Sequence, residues 1–250
     1  MGGFILKKTL YDYIEAIKRL PIKDKYTQEE ILTKDFLIEK DKNIEIYYAP
    51  HNEYINPKAK IFIVGITPGF QQMSTAISEA RKSLETTDNI EEIQYKCKVA
   101  GRFSGSLRRN IISMLDDTKL NEFLGLVSCS ELFEDKDYLL HTVSLIPYSV
   151  FVKGKNYTGH TPKLIKSEFL MKYVYDNFVK EIENLKDVIV IPLGRAVEEV
   201  IERLIEMQII DEKQVLRGFP HPSGANVNRL VQLEENKEVM IKFLKDKFNI

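Results

Sequence analysis

The sequence predicts an α/β fold: a three-layer α/β/α sandwich on a central four-stranded, mostly parallel sheet, with a helical extension over residues 1–43. Three observations carry this. Short continuous apolar runs at 61–64 and 188–191 read as strands buried on both faces. Longer charged stretches with apolar residues at helical spacing separate such runs, and that alternation implies parallel pairing with helices layered on the sheet. Two loops rich in Gly and Pro each follow a strand directly, as at the ligand-binding edge of an open parallel sheet.

Taken in order, residues 6–20 place Leu10, Tyr13, Ile14, Ile17 and Leu20 at helical spacing, and a second helix is expected over 27–38. Residues 44–48 are strand-like and end at Pro50. A turn-rich segment, 52–58, leads into the strand 61–64 and the loop Gly65-Ile66-Thr67-Pro68-Gly69-Phe70. A helix is expected over 73–84, and the mostly polar stretch 88–100 gives a weaker helical signal. Residues 106–116 are amphipathic, with Leu107, Ile111, Ile112 and Leu115 on the core side and Arg108, Arg109 and Asn110 on the other. A strand over 138–145 is followed by a long connection, 147–162. Then come a helix over 166–185, the strand 188–191, a helix to about residue 207, and a fourth strand at 214–217. The loop Gly218-Phe219-Pro220-His221-Pro222-Ser223-Gly224-Ala225-Asn226-Val227-Asn228-Arg229 precedes a last helix over 235–248. Its prolines fix φ and its glycines permit unusual dihedrals, a costly composition unless something is being positioned. Residues 1–250 read as one domain, with no internal repeat, low-complexity segment or linker.

Bulk composition narrows the function classes. The 250 residues are 44% hydrophobic and 29% charged, with a formal net charge of −1. A core of ordinary size is possible, but a basic coat for nonspecific nucleic-acid binding is absent, so any such contact must be a local patch. Cys97 and Cys129 are isolated and the four histidines scattered, so no metal-ligand spacing appears and free thiols are expected. Lys7 and Lys8 interrupt Phe4-Ile5-Leu6, and no apolar run spans a bilayer. The expectation is a soluble cytoplasmic monomer with no membrane partner, no metal and no cofactor.

The two loops and three further stretches together resemble the uracil-DNA glycosylase superfamily, above all its mismatch-specific and single-strand-selective branches. The similar segments are Gly65–Phe70, His221-Pro222-Ser223-Gly224, Leu139-Leu140-His141-Thr142-Val143, Val190-Ile191-Pro192-Leu193-Gly194-Arg195-Ala196 and Gly105-Ser106-Leu107-Arg108-Arg109-Asn110. The similarity spans roughly residues 44–248. It implies metal-independent hydrolysis of the N-glycosidic bond of an altered base (uracil or a related one) flipped out of single- or double-stranded DNA.

Residue by residue, the resemblance implies that His221 donates a hydrogen bond to the departing base anion. Gly65, Ile66, Gly69 and Phe70 would border the base, Phe70 by stacking and the backbone around Ile66 and Phe70 by reading its edge; core packing under the loop is the competing reading of Phe70. Pro222, Ser223, Gly224, Ala225, Asn226 and Arg229 would contact DNA, with residues 224–229 as a wedge; helix capping is the competing reading of Asn226 and Asn228. Lys153 and Lys155 would join them from the 147–162 connection, beside Asn156, Tyr157 and His160, unless that stretch is an ordinary polar loop. Arg102, Arg108 and Arg109 either extend the patch or form a solvated helix face. Two positions depart from the family pattern. Thr67 stands where the nearest branches carry Asn and others Asp or Glu, and a threonine holds a water but is no base near neutral pH. His141 stands where many members place a base-reading Asn, and a buried histidine bonded to backbone is its other reading. Two functions follow: a monofunctional glycosylase, or a catalytically impaired protein of the same fold that binds nucleic acid or a base. An unrelated hydrolase or nucleotide enzyme lacks support, since no nucleophile elbow, P-loop or dinucleotide fingerprint is present.

Overall fold

Buried aliphatic runs pair as strands, and periodic stretches cover them as helices. The computed structural model describes residues 7–183, 185 and 187–249. In chain order the elements are α1 (Leu10–Lys18), α2 (Gln28–Ile31), β1 (Leu37–Asp41), β2 (Ile44–Tyr47), β3 (Ile61–Gly65), α3 (Phe70–Ser83), α4 (Ile90–Gly101), α5 (Gly105–Asp117) and α6 (Leu120–Leu124). There follow β4 (Leu140–Ser144), β5 (Ser149–Val152), β6 (Lys155–Asn156), α7 (Glu168–Tyr173), α8 (Lys180–Ile182), β7 (Ile189–Pro192), α9 (Arg195–Glu206) and α10 (Arg229–Phe248). A π-helical segment, Val174–Val179, joins α7 to α8, so the helix expected over 166–185 is nearly continuous. Residue 6 of the first expected helix, the run Phe4-Ile5-Leu6 interrupted by Lys7 and Lys8, and residue 184 of the helix expected over 166–185 lie outside the described residues.

The chain forms two compact units, one drawn from Met1–Ile55, Ile66–Arg102 and Ser144–Glu181, the other from Asn56–Gly65, Phe103–Val143 and Ile182–Ile250. The first unit holds a sheet ordered β1-β2-β5-β6, all antiparallel. Helices α3 and α4 pack together and on the 3-10 turn Pro50–Asn52. Two expectations are corrected here. The helix expected over 27–38 is one turn of helix followed by β1, because Leu37–Asp41 pairs with β2 and that ladder overrides local helical spacing. The long connection 147–162 contains a hairpin, β5–β6, whose two-residue turn Lys153-Gly154 has φ of 51° and 73°. Positive φ at both positions matches the twist of the flanking strands.

The second unit holds the parallel sheet, ordered β4-β3-β7 with helices on both sides. Ile61, Phe62, Ile63 and Val64 stand in register with Ile189, Val190, Ile191 and Pro192. The expected fourth strand at 214–217 is reduced to one parallel bridge, Val190 to Val215, extended by the Leu216 N–H donating to the Val190 carbonyl at 2.9 Å. On one face Ile61, Ile63, Ile189 and Ile191 pack with Ile111, Met114 and Leu115 of α5 and Leu233, Met240 and Leu244 of α10. Burying each such aliphatic side chain contributes about 1.5–3 kcal/mol.

Candidate functional site

The first unit takes up the chain after β3, runs through Ile66–Gly69 and enters α3 at Phe70. Several polar groups of this loop have partners in the first unit. The Ile66 carbonyl accepts from the Ile146 N–H at 3.0 Å. The Gly69 N–H donates to Gln72 Oε1 at 3.1 Å, and the Phe70 N–H to Asn156 Oδ1 at 3.0 Å. Thr67 Oγ1 donates to the Tyr148 carbonyl at 2.5 Å and accepts from the Val150 N–H at 3.1 Å. Its one proton is therefore committed to the backbone leading into β5, and the hydroxyl acts as a clamp between loop and hairpin. The Phe70 ring is 8% exposed and meets Phe151 edge-on, centroids 6.5 Å apart, which is the packing reading. The Ile66 carbonyl and the Phe70 N–H, two of the backbone groups expected to read a base edge, each face a protein partner.

The sequence pattern put Asn156 only in a polar patch, yet it is this residue that meets the Phe70 N–H. It is exposed at the end of the hairpin, and a Cβ added at Gly69 would come within 3.9 Å of its Nδ2. Lys153 and Lys155 are exposed on the same hairpin. Tyr157 is buried instead, its hydroxyl donating to the Pro162 carbonyl at 2.5 Å.

A buried charged cluster occupies the same unit. His51, Lys98, Arg102 and Glu181 are all nearly inaccessible. Burial, reinforced by the Lys98 ammonium, holds the His51 imidazole down to about 3. Burial lowers Lys98 to about 8, against the opposing pull of Glu181. Cys97, also buried here, has its thiol pushed well up by desolvation.

In the second unit, His141 on β4 is 1% exposed. Its Nδ1 accepts from the Asn56 N–H at 3.4 Å, and its ring lies 4.9 Å from that of Phe62. This is the buried, backbone-bonded histidine, the second of its two readings. Asn56 itself is a structural hub: its Nδ2 reaches the carbonyls of Tyr138 at 2.8 Å, Leu140 at 3.0 Å and Asp137 at 3.3 Å.

The loop that carries His221 is shaped by two close approaches. Gly194 has φ 84°, and a Cβ there would lie 2.7 Å from the His221 Cβ. Its N–H donates to the Phe219 carbonyl at 3.0 Å. Asn110 Nδ2 donates to the Pro222 carbonyl at 2.7 Å, so the polar side of α5 holds this loop rather than facing solvent alone. His221 is exposed, while Pro220 and Pro222 are buried on either side of it. His221 Nδ1 accepts from the Ser223 N–H at 3.3 Å, so in the neutral ring the proton sits on Nε2.

Beyond it the loop folds on itself. Ser223 Oγ accepts from the Ala225 N–H, and Asn226 Nδ2 donates to the His221 carbonyl at 3.1 Å and to Gln232 Oε1 at 2.9 Å. The Arg229 guanidinium reaches the Asn226 carbonyl at 3.4 Å. Asn228 precedes α10 without a side-chain cap, so neither Asn226 nor Asn228 caps through its amide. Gly224 and Ala225 are exposed, as are the apolar Val227 (81%), Leu230 (56%) and Val231 (60%). The arginine patch is corrected: Arg102 is buried, and Arg108 donates to the Phe103 carbonyl at 2.5 Å with its guanidinium over the Phe133 ring, leaving Arg109 as the exposed one of the three. Cys129 is buried in this unit, its thiol likewise raised by desolvation.

Among the described residues no group of three or more His, Cys, Asp or Glu is placed to hold a metal ion, and no helix is long and apolar enough to cross a membrane. No family model matches the chain. The uncharacterized protein YoxB of Bacillus subtilis (strain 168) is 41% identical to it over 235 residues, which is 94% of this chain and 91% of that protein. Among solved structures, the crystal structure of wild-type Pedobacter heparinus SMUG2 aligns with a TM-score of 0.44 and 15% identity, covering 94% of this chain and 97% of that one.

Proposed function

The chain belongs to the same family as Bacillus subtilis YoxB, and for it we propose a DNA glycosylase-like function: hydrolysis of the N-glycosidic bond of a flipped, altered base, without metal. The observation that supports this most is the fixed imidazole. Buried prolines, Gly194, Asn110 and Asn226 hold the His221 segment, and the Ser223 N–H directs the ring proton to Nε2. An Nε2 donor with a set direction suits a leaving base that gathers negative charge as its bond to the sugar breaks. One such donor is worth about 3 kcal/mol in the transition state. Ser223, Gly224, Ala225 and Arg229 follow the DNA backbone in this reading, with the exposed Val227 as the apolar wedge.

The state of Thr67 favours a second reading. Its proton is committed to the Tyr148 carbonyl, so it is not arranged to prepare a water. A protein that binds an altered base and releases it intact fits that arrangement, whereas a dissociative cleavage needs charge stabilisation more than a base. The test is a panel of oligonucleotides, each with one altered base, incubated with the protein and then treated with alkali. Breaks at one lesion, reduced about a hundredfold in His221→Ala, support the glycosylase. Lesion-selective binding without breaks supports the binder. Neither breaks nor selective binding would remove both.

A further inference from the structure

We infer that the strap just ahead of α1 is a conformational latch on the Thr67 loop. It works through Tyr148, whose hydroxyl is held by the Lys8 main chain and whose carbonyl holds the Thr67 hydroxyl. The latch goes beyond the glycosylase and binder readings and stands without either. Every contact in it lies within the first unit.

At the strap end the bond runs both ways. The Lys8 N–H donates to the Tyr148 hydroxyl at 3.0 Å, and that hydroxyl donates to the Lys8 carbonyl at 3.0 Å. A phenol is donor and acceptor at once, so one side chain serves both main-chain groups of one residue. Two residues on, the Leu10 N–H donates to Glu53 Oε2 at 3.0 Å, an oxygen that also accepts from Gln94 Nε2 at 2.8 Å. A carboxylate there suits the positive N-terminal end of α1. Leu10, Tyr13 and Ile17 of that helix are buried, and the Tyr13 ring stacks on Tyr48 with centroids 3.8 Å apart. The strap is thus tied on both sides of Thr9 before the helix takes over.

At the loop end, the Tyr148 ring is enclosed, edge-on to Tyr173 with centroids 6.1 Å apart. With its ring packed and its hydroxyl tied, the residue has little freedom to turn. Its carbonyl therefore meets Thr67 Oγ1 in a set direction, at 2.5 Å. The same Oγ1 accepts from the Val150 N–H, the Ile66 carbonyl accepts from the Ile146 N–H, and Asn52 Nδ2 holds the Pro147 carbonyl at 3.1 Å. Residues 146–150 are the junction, and the Tyr148 hydroxyl carries it out to the strap. Loss of one such bond is worth about two- to tenfold in a local opening equilibrium.

The test is amide hydrogen exchange on the full chain. Gly69 and Phe70 report the loop, since their N–H groups donate to the side chains of Gln72 and Asn156. Ile93 and Lys153, whose N–H groups donate to the Asn89 and Asn43 carbonyls, report the rest of the unit. Tyr148→Phe keeps the ring and deletes the hydroxyl. It should speed exchange at Gly69 and Phe70 by about two- to tenfold and leave Ile93 and Lys153 within about 1.5-fold. In a Thr67→Val background, where the loop is already unclamped, the same substitution should add less than about 1.5-fold at Gly69 and Phe70. Lys8→Pro removes the strap's N–H, leaves Tyr148 whole and should act in the same direction. Lys8→Ala, which keeps both main-chain groups, should not. Equal acceleration at all four amides would make Tyr148 a packing residue only. Undiminished acceleration in Thr67→Val would route the effect around Thr67. Unchanged loop exchange in both Tyr148→Phe and Lys8→Pro would mean that strap and loop move independently. Any of these three results overturns the latch.

Discussion

Substituting Gly194 by alanine probes how the His221 loop is held. The residue has φ 84° and ψ 169°, a region open almost only to glycine. Holding an alanine there costs about 1–3 kcal/mol. The new methyl carbon would also sit 2.7 Å from the His221 Cβ, 3.1 Å from its N and 3.2 Å from its Cα. Two of those atoms are backbone, so relief requires moving the chain rather than turning a side chain, at about 1–3 kcal/mol more. The combined loss of about 2–6 kcal/mol is a large part of the roughly 5–15 kcal/mol that holds a domain folded. Urea unfolding reads it as a lower midpoint at constant slope. In a His221→Gly background the Cβ clash is gone, but the methyl still crowds two backbone atoms of residue 221. The cost of Gly194→Ala should therefore shrink by at least about 0.5 kcal/mol without vanishing. A single variant within about 0.5 kcal/mol of the wild type would refute the reasoning, since it would mean the turn relaxes freely.

Three other outcomes are expected. Thr67→Val keeps the shape and deletes the clamp, stranding the Tyr148 carbonyl and the Val150 N–H; denaturant unfolding should show a loss of about 1–3 kcal/mol, and a neutral result would mean water replaces the hydroxyl. Asn56→Ala removes an amide serving three carbonyls ahead of β4 and should cost at least about 2 kcal/mol, measured the same way, with no change implying that the segment rearranges. Because burial holds His51 down to about 3, the folded state binds fewer protons there than the unfolded chain as the pH falls below about 6.5. Stability should then decline from pH ~6.5 to ~3, by up to about 5 kcal/mol, and a His51→Gln variant should show a shallower decline in urea midpoints against pH. Parallel slopes in the two proteins would exclude His51 as the source.

The sequence makes β3 and β7 plain because Ile61–Val64 and Val188–Ile191 are apolar on every residue, as a strand buried on both faces demands. Helix α5 is equally plain from Leu107, Ile111 and Leu115. What local pattern does not disclose is pairing. Leu37–Asp41 has helical neighbours in sequence but a strand partner in space. Ser149–Val152 reads as a strand only once Lys153-Gly154 is taken as a turn signal, which a residue other than Asn or Asp before the glycine conceals. The residues the sequence singled out around His221 do form a tightly held loop. Asn110 and Gly194, which hold it, and Tyr148 and Asn156, which hold the Thr67 loop, do not disclose those contacts in their local sequence, because each acts across 27 or more residues of chain. His141 and Asn56 show the limit from the other side: a histidine at a strand end looks alike in sequence whether it meets a ligand or a backbone amide.

Cys97 and Cys129 fall one to each compact unit, both enclosed and both disfavouring the thiolate. Alkylating reagents attack the thiolate and need access to it, so neither sulfur reacts until its surroundings breathe. The pair is therefore a built-in pair of clocks. Reagent uptake at one sulfur times the fluctuations around α4, uptake at the other times those at the start of the Cys129–Phe133 turn, and no foreign probe has to be introduced to compare them.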